Sequence, residues 1–385
     1  MPEVADIFQQ FGQAFRKEYP QPSFKKKAMN AIELCRTSKL GGHVDQCSDC
    51  GHLRISYNSC RNRHCPKCQN LNKERWLENR RNDLLSITYF HVVFTFPEEL
   101  NALAQRNPEL LYTLLFQASA ETLQELAKEP HHLGAQIGFT SILHTWGQTL
   151  VHHPHIHCIV TGGGLSLDQS KWVSSRSNFF LPVKVMSKLF RGKLLDGLKL
   201  IHSKLVGLGS DIDFKRLLNK LYNKNWVVYC KPPFHSAQHV LQYLGRYTHK
   251  VAIGNHRIEQ IQDGRITFRW RDYKDQGRNK SMTLDAFEFI RRFLLHVLPS
   301  GFMKIRHYGL LSCRGKEIKL KRCRELLGTP AIPEKTILRE TWSAFLTRIT
   351  GTDPLRCPQC GKGVMIRDAF APGHSPPIQM LNPAN

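Results

Sequence analysis

Apolar residues recur along this chain at two periods, and the switches between them mark its elements. Val4, Ile7, Phe8, Phe11 and Phe15 return at three- and four-residue intervals, the period of one helix face, until Pro20 and Pro22 end the stretch. Residues 41 to about 70 lose that periodicity and become rich in Cys, His and turn formers. A polar helix is expected from about Asn70 to Asp83. SITYFHVVFTFP then reads as a long buried strand stopped by Pro97. PELLYTLLFQASAETLQELAKE carries leucines at helical spacing, with Pro108 at the first helical position. GAQIGFTSILHTWGQ and HPHIHCIVTGG predict two strands across a short loop, an antiparallel pair. Next come a helical region, about Lys184 to Lys204, a short strand WVVYCKPPF, and a helix in SAQHVLQYLGRYTHKVA. RITFRWRDY reads as a strand and LDAFEFIRRFLLHVLP as a helix. This order predicts an α+β fold on a central, mainly antiparallel sheet flanked by helices.

Charge changes the picture. Fifty-five Lys and Arg face thirty-one Asp and Glu over 385 residues, a formal net charge of +24 and a pI near 9.7. An excess of this size points to a polyanionic partner. An anionic membrane would want an apolar span or a basic amphipathic anchor. The longest apolar stretch, Tyr89 to Phe96, is too short and contains His91. Glu3 and Asp6 stand where a signal peptide would be basic, and no apolar core follows, so a cytoplasmic, nucleoid-associated protein is expected. In that compartment the twelve cysteines read as metal ligands and buried thiols rather than disulfides.

Cys47-Ser-Asp-Cys50-Gly51 and Cys65-Pro-Lys-Cys68 are two knuckles separated by fourteen residues, and their four thiolates are expected to close one structural zinc site. Cys60, His64, His43 and His52 lie in the same segment; they could replace a knuckle residue or form a second site, though a polar surface or supporting role is the better reading. Basic flanks, with Arg61, Arg63 and Lys67 foremost, suggest that the zinc module docks on DNA. A further knuckle, Cys357-Pro-Gln-Cys360, lacks a second half nearby; Cys313, Cys323 and His374 are candidate partners.

His155 and His157 point the same way from a strand, because side chains alternate with period two. Such pairs often bind nothing. Here Pro154 can fix the strand's start, a small-residue tract follows, and His144 on the preceding strand could face the pair as a third ligand; Gln148 is the alternative. His152 and His153 read as loop residues. Two or three such ligands leave positions for phosphate oxygens and water around a divalent ion; Mn²⁺ would suit them and Mg²⁺ would be tolerated. Tyr243 and Tyr247 fall on one helix face. Tyrosines at this spacing more often pack than react, but Gln242, Arg246, Thr248, His249 and Lys250 make this neighbourhood polar and basic. Arg246 between them could hold a phosphate, and Lys250 adds to the same DNA-facing charge. A phenol titrates near pH 10, so attack at neutral pH needs a nearby cation, metal or base. A metal beside phenolic nucleophiles in so basic a chain implies cleavage of a nucleic-acid phosphodiester through a covalent tyrosyl intermediate.

HPHIH, followed by YLGRY and preceded by SCRNRHCPKCQ, resembles the two-tyrosine HUH transposases of the IS-ninety-one type over roughly residues 20 to 350. The resemblance implies a small zinc-binding domain ahead of an HUH endonuclease domain, and rolling-circle transposition. One tyrosine would cleave single-stranded DNA at the element's end, leaving a 5′-phosphotyrosine and a 3′-OH; the other would serve strand transfer. Tyr243 and Tyr247 become the nucleophiles, and His155 and His157 the metal ligands; family members draw the third ligand from Gln, Glu or His at varying spacings. The expected division is 1–85, a helical and zinc-binding DNA-docking domain; 86–300, the nuclease; and 301–385, a basic irregular region ending in a disordered Pro-rich tail. Expected partners are single-stranded DNA, hairpin DNA ends and host replication machinery. No phosphate-binding GxxxxGK[ST] loop occurs, so no nucleotide cofactor is expected. A plasmid replication initiator or a relaxase would share the chemistry. A non-catalytic zinc-containing DNA-binding protein, or an RNA-binding one, would share only the charge.

Overall fold

The computed structural model describes residues 2–176, 178–234, 239–240, 243, 245, 251–329, 340–374 and 376. Helices α1 (Val4–Glu18) and α2 (Ser23–Leu34) open the chain and break at the two prolines. Strands β1 (Gly42–Cys47) and β2 (Leu53–Tyr57) form a hairpin, and α3 (Gln69–Arg81) follows.

The central sheet is built from β3 (Tyr89–Thr95), β4 (Ala135–Trp146), β5 (His152–Ser166), the short β6 (Trp172–Ser174) and β7 (Val228–Phe234). Between them run α4 (Asn101–Arg106), α5 (Pro108–Lys128), α6 (Val183–Ile201) and α7 (Asp211–Asn223). Alternation assigns the two faces. Phe90, Val92 and Phe94 of β3, Phe139 and Leu143 of β4, and Ile156, Cys158 and Val160 of β5 share one buried cluster with α5 and α6. The opposite face is divided. One end is apolar, where Tyr89, Ile142 and Ile159 pack with Trp76, Leu77, Val240 and Tyr243. The other end carries imidazoles: register sets His144 opposite His155, and Val93 opposite His157.

Past the tyrosine segment, β8 (Ile258–Gln262), β9 (Arg265–Asp272) and β10 (Arg278–Asp285) form a second antiparallel sheet, followed by α8 (Ala286–Leu294). Ile266 and Phe268 from this sheet and Phe289, Ile290 and Phe293 from α8 bury the apolar faces of α1 and α2. Of these three strands the sequence pattern predicts only β9. β8 and β10 are mostly polar and exposed, so they carry no apolar alternation to read.

The C-terminal region departs furthest from expectation. Instead of irregular chain it supplies β11 (Ile305–Gly309), α9 (Lys316–Leu326), α10 (Trp342–Thr350) and β12 (Met365–Phe370). The central sheet runs β11-β4-β5-β3-β7, with β6 on β5, so a boundary at residue 300 would detach one of its strands. β12 returns to pair with β1, Met365 opposite Cys47, so the C-terminal region is tied to the N-terminal hairpin. The tail from residue 377, expected to be disordered, lies outside the described residues. Among the described residues no helix is long and apolar enough to cross a membrane.

Buried imidazoles give the fold an acid limit. His64 (5% exposed), His152 (4%) and His296 (1%) are held by burial at about 3, 4 and 3, below the ordinary histidine value. His64 Nε2 accepts the Leu298 N–H at 3.1 Å, which requires its neutral form. The unfolded chain takes up these protons near pH 6.5 while the folded chain refuses them until about pH 4. Stability therefore falls as pH drops through that window, by at most about 1.4 kcal/mol per group per pH unit. The thermal midpoint should drop between pH 7 and pH 5; a flat or rising midpoint in a pH-resolved melting series would refute this.

Candidate metal and nucleophile site

The imidazole end of the sheet opens into a cavity of about 650 Å³. The ligating atoms of His144, His155 and His157 lie within 4.8 Å of one another. His155 Nε2 and His157 Nε2 are 3.0 Å apart, close to the separation of neighbouring ligands on an octahedral ion with arms of about 2.1 Å. His155 donates from Nδ1 to the His153 carbonyl at 2.7 Å, which leaves its Nε2 lone pair for the cluster. Burial, the largest cause in each case, holds His155 at about 4 and His157 well below the usual range. Both rings are thus neutral at pH 7, the form that ligates a metal. His144 is buried and stacks on Trp146, ring centroids 4.5 Å apart, which sets its orientation. Gln148, the alternative third ligand, lines the cavity, but its carbonyl oxygen faces the Arg271 N–H at 3.4 Å. The donor set fits a divalent ion with open positions.

Tyr243 reaches this cluster from the apolar end. The described residues of its segment, His239, Val240, Tyr243 and Gly245, are helical. The Tyr243 hydroxyl lies 2.8 Å from His91 Nε2 and 3.3 Å from His157 Nδ1, and those two nitrogens are 2.8 Å apart. With His157 Nε2 turned toward the cluster, its Nδ1–H is a donor, and the single lone pair of His91 Nε2 is shared between that N–H and the Tyr243 hydroxyl. Burial, with help from Lys231, holds His91 at about 3, so that lone pair persists at neutral pH. In the sequence His91 reads only as an interruption in an apolar strand. A lone imidazole on the same face as a histidine pair is the signal that could have found it. Tyr247, Arg246 and Lys250 lie outside the described residues. His152 and His153, expected in a loop, begin β5, and His152 is buried against the Tyr112 hydroxyl at 2.8 Å. The cavity's described lining carries Lys231 and Arg257 and no carboxylate, which favours a polyanion.

The cysteines regroup. Cys65 and Cys68 join Cys35 and Cys60, whereas Cys47 and Cys50 join Cys357 and Cys360; the expected single site of Cys47, Cys50, Cys65 and Cys68 does not form. The reason is that β1 and β2 carry the first knuckle onto β12, while the second is held in the core beneath α1 and α2. In the Cys35 cluster, sulfur pairs stand 3.5 and 3.6 Å apart, near the edge of about 3.8 Å in a tetrahedron with zinc–sulfur arms of 2.3 Å. Cys35 ends α2 with no CxxC partner, so spacing does not reveal it. His64 stands beside the cluster without joining it.

Comparison with known proteins decides the family. Residues 138–318 match the family described as "Putative transposase", and residues 7–96 match a transposase zinc-binding domain of the IS-ninety-one type. "Putative transposase y4qJ" of Sinorhizobium fredii is 51% identical over 376 residues, covering 95% of this chain and 94% of that protein. The transposase for insertion sequence element IS801 of Pseudomonas savastanoi pv. phaseolicola is 30% identical over 346 residues, covering 88% and 82%. The chain belongs to the IS-ninety-one-type transposases. No solved structure matches it.

The zinc-binding match spans Cys35, Cys60, Cys65 and Cys68, so this transposase carries structural zinc in its N-terminal part. Of the three basic residues expected to grip DNA there, two are engaged within the fold. Arg63 donates to the carbonyls of Leu298, Pro299 and Phe302, and Lys67 pairs with Glu3. Arg61 is exposed, in a left-handed backbone conformation at φ 53°. Sequence shows charge but not whether a guanidinium is already spent.

Proposed function

We propose that this transposase cuts single-stranded DNA by attack of the Tyr243 oxygen on a backbone phosphorus and joins strands by reversing that step. The carrying observation is the Tyr243 hydroxyl, 2.8 Å from His91 and beside the three-histidine cluster, in an open cavity lined by basic residues. As the oxygen–phosphorus bond forms, the bond from phosphorus to the 3′ oxygen breaks. The products are a 5′-phosphotyrosine and a 3′-OH, the leaving oxygen taking its proton from water. The Tyr243 hydroxyl is oriented by its hydrogen bond to His91 Nε2 and gives up its proton to water in the open cavity, and an ion held by the three histidines would favour the phenolate. His144, His155 and His157 would hold Mg²⁺ or Mn²⁺, which polarises the scissile phosphate when bound. Lys231 orients the strand, while Arg257, which donates to the Arg269 and Gln148 carbonyls, adds fixed positive charge to the cavity wall. Attack of a 3′-OH on the phosphotyrosine restores a phosphodiester and frees the tyrosine, the exchange that rolling-circle transposition needs. Tyr247 would be the second nucleophile of the motif. Hairpin ends of the element, the nucleoid as the place of action and host replication proteins as partners complete the reading.

The test is a labelled single-stranded oligonucleotide from the element's end, incubated with full-length protein and Mn²⁺, Mg²⁺ or EDTA. A protein–DNA adduct that survives denaturing electrophoresis and depends on the metal is expected. Tight binding with no adduct under any metal would overturn the proposal. His91→Ala should slow cleavage by up to about a hundred-fold by misplacing the phenol, and should weaken Mn²⁺ binding by about ten-fold because it takes away the partner of the His157 Nδ1–H. An unaltered cleavage rate and Mn²⁺ affinity would show that His91 only packs.

A further inference from the structure

We propose that Cys47, Cys50, Cys357 and Cys360 hold a second zinc ion, distinct from that of the Cys35 cluster, which staples the C-terminal strand β12 to the β1–β2 hairpin and braces the helix behind Tyr243. The Cys47 and Cys360 sulfurs are 3.7 Å apart, as are those of Cys50 and Cys357. Both pairs match the tetrahedral edge of about 3.8 Å. The two knuckles are built alike. Each is followed by a glycine in the left-handed region, Gly51 at φ 71° and Gly361 at φ 66°. In each the first sulfur accepts a backbone N–H two residues on, from Asp49 and from Gln359, both at 3.4 Å. The Gly363 N–H approaches Cys360 Sγ at 3.4 Å, and a Cβ on Gly363 would meet Cys47 Sγ at 2.3 Å. Backbone amides aimed at sulfur stabilise thiolate, and the chain closes around the sulfurs with no room for a side chain. The zinc-binding match ends at residue 96, far short of the second knuckle.

The brace follows from what lies beside the knuckles. Asp45 of β1 is buried between Arg54 and Arg367 of β12, which fixes the strand pairing. Arg367 lies over the Trp342 ring of α10, 5.0 Å from its centroid. From the same helix Arg348 pairs with Glu78 of α3 at 2.8 Å, and Arg75 of α3 covers the Phe345 ring. On its other side α3 presents Trp76 and Leu77 to the cluster containing Tyr243. The path from thiolates to nucleophile is therefore β12, α10, α3, Tyr243. Zinc content is read directly, so a second zinc stands or falls separately from the nuclease chemistry.

The experiment counts zinc released by a mercurial reagent from the purified full-length chain, and from Cys357→Ser/Cys360→Ser. Two thiolate-held zinc ions per chain are expected in the wild type and one in the variant. Cys360→His, which preserves a ligand, should keep two. In the doubly substituted protein trypsin should cut at Arg348 and Arg356 at least ten-fold faster than in the wild type. One zinc in the wild type, or two retained in the double variant, would overturn the site; should that variant precipitate, the wild-type count alone decides. Unchanged cleavage at Arg348 in a variant that has lost one zinc would overturn the brace.

Discussion

Tyr243→Phe should lower single-strand cleavage by at least about a thousand-fold, because it deletes the attacking atom and little else. The phenyl ring would keep its place against His91 and Phe234, whose centroids lie 4.6 and 5.1 Å from that of Tyr243. The three-histidine cluster is untouched by the change. Affinity for the oligonucleotide and for Mn²⁺ should therefore stay within about two-fold, and the whole loss should appear in the chemical step. Gel-resolved single-turnover kinetics separate the two. Retention of more than a tenth of the wild-type rate would mean that another group attacks.

His155→Ala/His157→Ala removes two of the three cluster nitrogens and should abolish metal-stimulated cleavage, also by about a thousand-fold. The physical reason is cooperative. Both rings are neutral because burial disfavours their charged forms, and His155 is oriented by the His153 carbonyl. Neither Lys231 nor Arg257 is altered, so strand binding should persist within a few-fold. Titration calorimetry with Mn²⁺ gives the metal loss, and fluorescence anisotropy with a labelled strand gives the binding. Undiminished Mn²⁺ affinity in the double variant would remove the metal from the account.

Much of the site's plan is legible in the residues themselves. Alternation through HPHIH puts His155 and His157 on one face, and an antiparallel neighbour puts His144 opposite, where the register places it. A four-residue spacing draws out Tyr243 and Tyr247, and Tyr243 packs on that face. What escapes depends on contacts between distant segments. His91 lies 66 residues before His157, and in a strand otherwise apolar it reads as a flaw rather than as a polar end to one face. The cysteines mislead for the same reason. Fourteen residues between knuckles satisfy the spacing rule, yet Cys47 meets Cys360 across 313 positions. Strand β11 escapes because five residues on a sheet edge, four of them half-exposed, show too short a pattern. Arg63 shows the matching limit for charge, since its carbonyl partners lie more than 200 residues away.

The most direct test of the account identifies the residue that carries the DNA. The wild-type adduct with a single-stranded end would be digested with nuclease and protease and its peptides sequenced by mass spectrometry. The account predicts a nucleotide phosphate on the Tyr243 side chain, attached through the 5′ phosphate. A phosphate found only on another residue, or an end cleaved to completion with no residue labelled, would contradict it.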